Sequence, residues 1–396
     1  MANTKITNPE LFNLGDSTSA TQLPVMTTTE RIAMTGLSVG EMIFNSTTDK
    51  VEYWDGTKWY GITYEVQEET PYNNVLYTGS GDTTNGQSIT GIGFKPDLVW
   101  FKSRNDSYYN VLYDSIRGTN DAISSNLTNS TYSNYNRFQS FDDDGFTIKA
   151  NNAADLWKID RGSTNFVAWC FKAGGAAVAN TDGSITSQVS ANVAGGFSIV
   201  SWSGNSVSPS TVGHGLGVAP ELFIIKNLSS AVNWSVYSSS VGAGFKLKLN
   251  TTDAKAATSN YVSTSPTSSV FSLSGGNEVN SSGSNYIAYC FASVPGYSKV
   301  GSYQGNGSTN GPTVPLGFQP TFLMCKETSN TGSWRIMDST RQPSNPKSNG
   351  LWANLTNAES TSSGNLVDFN SDNFQLVGGG SDVNASGQTY MYLAFA

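Results

Sequence analysis

Few residues of this chain could carry chemistry. The sequence has one histidine, His214, in the Gly-rich stretch TVGHGLGVAP, and three cysteines, Cys170, Cys290 and Cys325, none of them in a CxxC pair. One histidine cannot build a His-rich metal site, and no nucleophile-elbow pattern accompanies it. We interpret His214 as a loop histidine and expect no catalytic residue and no cofactor.

The densest group of acids is Asp142–Asp144, directly before Gly145. Calcium loops place their oxygen ligands on alternating residues, whereas this run is contiguous. The pattern favours a solvated hairpin turn, with a bound cation as the alternative. A hydrolase would need two acids across a cleft, and Asp155 or Asp160 could supply the second, but no spacing selects either. We expect the protein not to be an enzyme.

Two tryptophans lie among amide and acidic residues in segments that suggest loops. Trp157 lies in DLWKID, and Trp352 lies in NGLWANL together with Asn354. Aromatic faces beside amides and carboxylates can bind sugar rings by stacking and hydrogen bonding. These three residues are our candidate receptor or glycan site. The alternative is a tryptophan packed under its own loop.

Composition excludes several functional classes. Charged residues make up 13% of the chain, about half the usual share, and the net charge is −8. With a sequence pI of about 4.7, we expect no nucleic-acid binding. Apolar runs are too short for a membrane span, so we expect no membrane insertion. The start, MANTKITNPELF, lacks the apolar stretch of a secretory signal, which predicts synthesis in a reducing cytoplasm.

A repeat of roughly one hundred residues organises most of the chain. Each copy opens with Gly, an apolar residue, Pro and an apolar run that ends in Lys, and each closes with an aromatic-rich run that ends in Phe. The openings are GIGFKPDLVWFK at 91–102, GLGVAPELFIIK at 215–226 and LGFQPTFLMCK at 316–326. The closings are NFVAWCF at 165–171, NYIAYCF at 285–291 and TYMYLAF at 389–395. Asp114–Arg117 and Asp338–Arg341 form a repeated pair, which we interpret as structural.

The runs within each copy are short, β-branched and aromatic, and Gly, Asn, Asp and Pro bound them. This pattern predicts an all-β fold of three tandem β-sandwich domains. The predicted order is a module at 1–66, a linker at 67–74, repeat 1 at 75–175, a linker at 176–195, repeat 2 at 196–294 and repeat 3 at 295–396. Cys170 and Cys290 occupy matching places, so they should be free, buried thiols in separate cores.

The N-terminal module differs from the repeat. It predicts a short helix near 28–35, capped by Thr28 or Thr29, and two strands, EMIFN and KVEYW, around a turn. So small a hairpin cannot cover its own aromatic side chains. We therefore predict that an assembly interface covers Phe44, Tyr53, Trp54, Trp59 and Tyr60.

The segment ER-x-AM-x-GL-x-x-GEMIFNSTTDKVEYWDGTKW resembles an N-terminal module of bacteriophage fibre and virion-surface proteins, especially of marine and cyanobacterial phages. The repeat, with GIGFKPDLVWFKSRN, SFDDDGFTI and FVAWCFKAG, resembles a repeated domain of phage tail-fibre-like proteins. The resemblance implies a non-enzymatic virion component. Its expected partners are its own copies, as a homotrimer, and other virion proteins.

The preferred function is therefore a phage tail fibre or fibre-like protein that presents β-domains to a bacterial cell-surface glycan. A capsid-decorating or tail-assembly protein without a receptor is the alternative. A polysaccharide-degrading spike is a third hypothesis.

Overall fold

The computed structural model describes residues 23–48, 50–62, 71–133, 136–151 and 154–396. The chain divides into two compact units, 1–69 and 70–396. Both are built almost entirely of β-strands, which confirms the all-β fold class. No helix in the described ranges is long and apolar enough to cross a membrane.

The N-terminal unit is one short helix on a four-stranded sheet of order β1-β2-β3-β4. Its elements are β1 Val25–Met26, α1 Thr28–Ile32, β2 Met42–Asn45, β3 Lys50–Trp54 and β4 Trp59–Ile62. The predicted hairpin and helix are confirmed, but the cap is Thr27, not Thr28 or Thr29. The Thr27 hydroxyl accepts a hydrogen bond from the Glu30 N–H, and the Glu30 carboxylate accepts one from the Thr27 N–H. Residues 1–22 and 63–66 of the predicted module lie outside the described residues.

The larger unit holds the three repeats. Repeat 1 comprises β5 Tyr72–Thr78, β6 Gln87–Thr90, β7 Leu98–Ser103, β8 Val111–Asp114, β9 Asp121–Ser124, β10 Tyr132–Ser133, β11 Phe138–Asp142, β12 Gly145–Ile148 and β13 Asn165–Phe171. Repeat 2 comprises β14 Val178–Asn180, β15 Ser187–Asn192, β16 Phe197–Ser203, β17 Ser210–Gly213, β18 Leu222–Asn227, β19 Ser235–Ser238, β20 Phe245–Lys248, β21 Ala256–Ala257, β22 Val270–Leu273 and β23 Asn285–Phe291. Repeat 3 comprises β24 Ser298–Gln304, β25 Thr313–Pro315, β26 Phe322–Glu327, β27 Arg335–Asp338, β28 Asn349–Trp352, β29 Ser360–Thr361, β30 Val367–Phe369, β31 Asn373–Leu376, α2 Ser381–Asn384 and β32 Thr389–Phe395.

Each repeat folds with the same strand order. The main sheets share the orders β5-β13-β7-β8-β9, β16-β23-β18-β19-β20 and β24-β32-β26-β27-β28. A smaller sheet of two or three strands packs on one face of each. The strand registers place Phe171, Phe291 and Phe395 at the same position, and all three are buried, as the repeat predicted.

Both predicted linkers contain strand residues. The segment 176–195 forms the hairpin β14–β15, which pairs with β16 and extends the sheet of repeat 2 to eight strands. The residue alternation in QVSAN already fits such a strand, because Val189 is buried and Gln188 is exposed. Of the segment 67–74, Tyr72–Asn74 belong to β5, and residues 67–70 lie outside the described part.

The three repeats share a core in addition to their own. Every residue of β7, β18 and β26 is buried, so both faces of each main sheet are covered. One face packs against the smaller sheet of its own repeat and contains Cys170, Cys290 or Cys325. The other face packs against the main sheets of the other two repeats.

The phenylalanines that close the repeats meet in this shared core. Their ring centroids lie 5.9 Å apart for Phe171 and Phe291, 5.6 Å for Phe171 and Phe395, and 6.2 Å for Phe291 and Phe395. We call this cluster the phenylalanine triad. It defines one end of a ring of three repeats with approximate threefold symmetry.

A shared core predicts that the repeats unfold together. Phe291→Ala should remove about 3–5 kcal/mol from the free energy of unfolding, because it leaves a cavity where all three repeats meet. Chemical denaturation monitored by fluorescence should show one transition for both proteins. Phe245→Ala, at a side chain that is 36% exposed, is the control and should change stability little. Separate transitions for separate repeats would contradict the shared core.

Candidate functional site

Equivalent hydrogen bonds join each repeat to the next and close the ring. In each, a side chain directly before β8, β19 or β27 donates to a main-chain carbonyl at the end of the neighbour's β9, β20 or β28. The donors and acceptors are Trp234 Nε1 to Ser124 O at 2.9 Å, Trp334 Nε1 to Lys248 O at 2.9 Å, and Asn110 Nδ2 to Trp352 O at 2.8 Å. Repeat 2 thus bonds to repeat 1, repeat 3 to repeat 2, and repeat 1 to repeat 3.

The lysines that end the repeated openings lie at the same three contacts between neighbouring repeats, here called the seams. Lys102, Lys226 and Lys326 are at most 1% exposed. The Nζ atoms donate to loop carbonyls of the neighbouring repeat, namely Lys102 to Thr356 O at 2.9 Å, Lys226 to Thr128 O at 2.9 Å and Lys326 to Thr252 O at 3.2 Å. Burial lowers the pKa of Lys102 to about 7 and the pKa values of Lys226 and Lys326 to about 8.

Two seams also carry a buried bond to the repeated Asp–Arg pair. Tyr289 donates its hydroxyl to Asp114 Oδ2 at 2.7 Å, and Trp169 donates its Nε1–H to Asp338 Oδ2 at 3.2 Å. Each aspartate also lies 2.6 Å from the Nε of its arginine, three residues later. The structural interpretation of both pairs is therefore confirmed.

The third seam has neither the acceptor nor the donor. Ser238 takes the place of the aspartate, and Leu393 takes the place of Trp169 and Tyr289. Leu393 brings no donor, and the buried Ser238 hydroxyl is hydrogen-bonded to the Ser240 hydroxyl at 2.9 Å, so no buried donor is left without a partner. The loss of the acceptor in one repeat is matched by the loss of the donor in the next.

Loops from all three repeats gather at the end of the ring away from the phenylalanine triad. Strand β5 begins at Tyr72, beside Phe171, and runs toward this end, as the registers of the main sheet require. We define the loop pole as residues 79–86, 104–110, 125–131 and 160–164 of repeat 1, 203–209, 228–234, 249–255 and 280–284 of repeat 2, and 305–312, 328–334, 353–359 and 385–388 of repeat 3. Its exposed side chains are mainly neutral hydrogen-bonding ones, such as Thr84, Asn85, Asn105, Asn129, Asn205, Ser206, Ser229, Ser282, Asn306, Ser308, Asn310, Asn330 and Ser386.

The three candidate glycan residues lie in different environments. Trp157 is 5% exposed and packs in the core of repeat 1, where Tyr132 stacks on it with ring centroids 4.5 Å apart. Trp352 is not in a loop: it is the last residue of β28, half-buried, with Arg335 over its ring. Its strand ends at the loop pole. The structure does not bring Trp157 and Trp352 together.

Asn354 has a repeated structural role that the sequence analysis missed. Its Oδ1 accepts the Trp334 N–H at 2.9 Å. Asn126 and Asn250 make the same bond to the N–H groups of Asn110 and Trp234, at 2.8 and 2.9 Å. The sequence contains the pattern that predicts this role, because Asn126, Asn250 and Asn354 have the spacing of the repeat.

The other chemistry-bearing residues serve the fold. Asp142 and Gly145 pair across the predicted hairpin turn, where Asp144 accepts hydrogen bonds from the N–H groups of Gly91 and Gly93. His214 is fully buried, so its description as a loop histidine was incomplete. Its Nδ1 accepts the Leu216 N–H, and burial lowers its pKa.

All three cysteines are free and buried, as predicted for Cys170 and Cys290, and these two lie in separate cores. Burial raises the pKa of each thiol, to about 12 for Cys290 and Cys325. A thiol that stays protonated is a poor nucleophile, so these groups are inert in the folded protein.

The five predicted assembly residues lie on both faces of the N-terminal sheet. Register puts Phe44, Tyr53 and Tyr60 on one face with Met42 and Val51, and all five are only half-buried. Trp54 and Trp59 pair on the opposite face, with ring centroids 5.7 Å apart. On that face α1 contributes Arg31, which forms an ion pair with the buried Glu52. The face of Phe44, Tyr53 and Tyr60, here called the apolar face, is only half-buried among the residues that the structure describes.

Comparison with known proteins finds two matching family models. A family model described as a domain of unknown function, DUF7483, matches residues 69–396, which is most of the chain. The chain belongs to the DUF7483 family. A second model, described as a phage tail like trimerisation region, matches residues 3–81. A search of curated proteins found no match.

The second match supports a phage tail-type structural protein, a component of the virion, that associates with itself as a trimer. It covers the N-terminal unit and the start of the DUF7483 domain. The apolar face lies within the matched segment, so its half-buried aromatic side chains belong to the trimerisation region.

We predict that the apolar face holds the trimer together. Phe44→Asp should give monomers, because a carboxylate in an apolar interface would lose its hydration without a partner. Light scattering after size-exclusion chromatography measures the mass directly. Ser46→Asp, in the exposed turn after β2, is the control and should stay trimeric. A trimeric Phe44→Asp variant would place the interface elsewhere.

The buried seam lysines predict how stability depends on pH. Folded Lys102 loses its proton near pH 7, whereas the unfolded chain keeps it up to the ordinary lysine pKa, so its contribution to the free energy of unfolding rises with pH. Between about pH 7 and about pH 8.5, wild type should gain on Lys102→Met by up to about 1.4 kcal/mol per pH unit.

Urea denaturation at each pH measures this difference. The three thiols act in the opposite direction at higher pH, but equally in both proteins. Lys95→Met, at an exposed position, is the control and should show a constant difference. A constant difference for Lys102→Met as well would mean that the folded protein keeps Lys102 protonated.

Proposed function

We propose that this protein is a trimeric phage tail fibre or fibre-like protein that presents the loop pole of its DUF7483 domain to the host, where it binds a cell-surface glycan. The direction of the strands in the main sheet is the observation that carries the proposal. The first strand of the domain, β5, begins at Tyr72 beside the phenylalanine triad, and the loops lie at the other end of the strands. The DUF7483 domain thus begins at the end opposite the loops.

The loop pole suits recognition for a physical reason. The shared core and the seams fix the strands, whereas exposed loops tolerate changes in sequence, so specificity collects in loops carried by a rigid scaffold. Amide and hydroxyl side chains on such loops can donate to and accept from sugar hydroxyls. Trp352, at the end of β28, is the candidate stacking aromatic. Trp157 is too deeply buried for this role, and Asn354 is engaged with Trp334.

In this proposal the protein is not an enzyme, and its other partners are neighbouring virion proteins. A capsid-decorating or tail-assembly role without a receptor is the alternative. It predicts the same ring and trimer but no contact of the loop pole with the cell. Blocking that pole therefore separates the two roles.

We predict that a bulky label on the loop pole blocks adsorption to host cells. The native thiols are buried, so a maleimide-polyethylene glycol reagent should modify only an introduced cysteine. Labelled Asn306→Cys, in an exposed loop of the pole, should lose adsorption. Labelled Val218→Cys is the matched control, since Val218 is 52% exposed and lies just before β18 at the triad end. Equal adsorption of both labelled proteins would favour the role without a receptor.

A further inference from the structure

The charges of the loop pole indicate which class of glycan it can bind. Across its loops the pole has only three cationic residues, Arg104, Arg161 and Lys255, against five acids. Arg104 forms an ion pair with Glu359 across the seam between repeats 1 and 3, with Nη2 and Oε2 2.7 Å apart. Arg161 and Lys255 are exposed. Of the lysines that flank these loops, Lys102, Lys226 and Lys326 are buried in the seams, and Lys248 forms an ion pair with Asp253.

The acids of the pole are engaged with the protein itself. Asp106 accepts the Thr164 hydroxyl at 2.7 Å, and Asp160 accepts the Ser80 hydroxyl at 2.9 Å. Asp82 accepts N–H bonds within its own turn, Asp253 pairs with Lys248, and Glu359 also pairs with Arg341. The acids therefore order the loops, and apart from Arg161 and Lys255 the surface left for a ligand is mainly neutral amides and hydroxyls.

We propose that the loop pole binds a neutral polysaccharide, one whose sugars carry hydroxyl and acetamido groups and no carboxylate, phosphate or sulfate. This inference rests on the proposed function and narrows it. An anionic polymer would need unpaired arginine or lysine side chains to replace the hydration of its charges. It would also approach a protein of net charge −8 against repulsion. A neutral sugar needs only hydrogen-bonding partners and an aromatic face.

Trp352 supplies that aromatic face. It is half-buried at the end of β28, and its strand leads directly into the loop 353–359 of the pole. The cation beside its ring, Arg335, is 1% exposed and forms an ion pair with Asp382, so it is not accessible to an anionic ligand. The site thus offers ring surface without an available positive charge.

The experiment uses the full-length trimer and two purified polysaccharides from the host envelope, one neutral and one anionic. Each competes with the protein for adsorption to cells, at about 0.1 M and about 1 M salt, between which the screening length falls from about 10 to about 3 Å. We expect the neutral polymer to block adsorption equally at both concentrations. Inhibition by the anionic polymer that salt abolishes would overturn the inference and leave the proposed function intact.

Variants of the pole give a second measurement. Arg161→Gln combined with Lys255→Gln removes the exposed cations and should change the affinity less than twofold. Trp352→Ala should weaken it at least tenfold, and its thermal midpoint shows whether the fold is kept. A tenfold loss in the charge variant would overturn the inference even if Trp352→Ala fails to fold. Adsorption that neither polymer inhibits, and that protease treatment of the cells removes, would instead overturn the glycan part of the proposed function.

Discussion

The structure of the DUF7483 domain depends on one constraint, which is that its central strands are apolar on both faces. In β7, β18 and β26 no residue is exposed. A two-layer sandwich covers one face of a sheet and leaves the other to water. Here the smaller sheet of each repeat covers the outer face, and the other two repeats cover the inner one. One repeat alone would expose a whole sheet face, so the ring is the smallest unit that buries both faces of the central strands.

A ring of three similar parts must also specify how the parts meet, since apolar contacts alone do not fix a register. The seams use directional bonds for this purpose. Burial destabilises the charged form of Lys102, Lys226 and Lys326 and so lowers their pKa values. Their hydrogen bonds to carbonyls of the next repeat offset part of this destabilisation. In the third seam Ser238 replaces the aspartate acceptor and Leu393 replaces the aromatic donor. Because both are replaced together, neither group is buried there without its partner.

The two units of the chain expose different chemistry. The N-terminal unit leaves an apolar face that a second and third copy can cover, and it matches a trimerisation region. The larger unit buries its apolar faces within one chain and exposes neutral loops. In the proposed function, assembly and recognition therefore use different surfaces, and a change in the loops need not disturb either the trimer or the ring.

Repetition in the sequence determined a great deal by itself. The repeated openings and closings located the central strands and the equivalent places of Phe171, Phe291 and Phe395. The Asp–Arg pairs were predictable as well, because their two residues are close in sequence and recur in the repeat. The apolar face was only partly predictable: Phe44, Tyr53 and Tyr60 were identified as uncovered, but Trp54 and Trp59 were grouped with them until strand register separated the two faces.

Only the tertiary structure decided how the repeats are arranged and which aromatic residues a ligand can reach. The continuous apolar runs LVWF and LFII fit strands buried on both faces, but the sequence analysis predicted separate sandwiches, because no local pattern says what covers the second face. Trp157 and Trp352 look alike in sequence, each beside polar residues. Tyr109 and Tyr132 pack against the ring of Trp157, whereas Trp352 lies half-buried at the end of a strand. Burial is a property of the segments that pack on a residue, and for Trp157 those segments come from other parts of repeat 1.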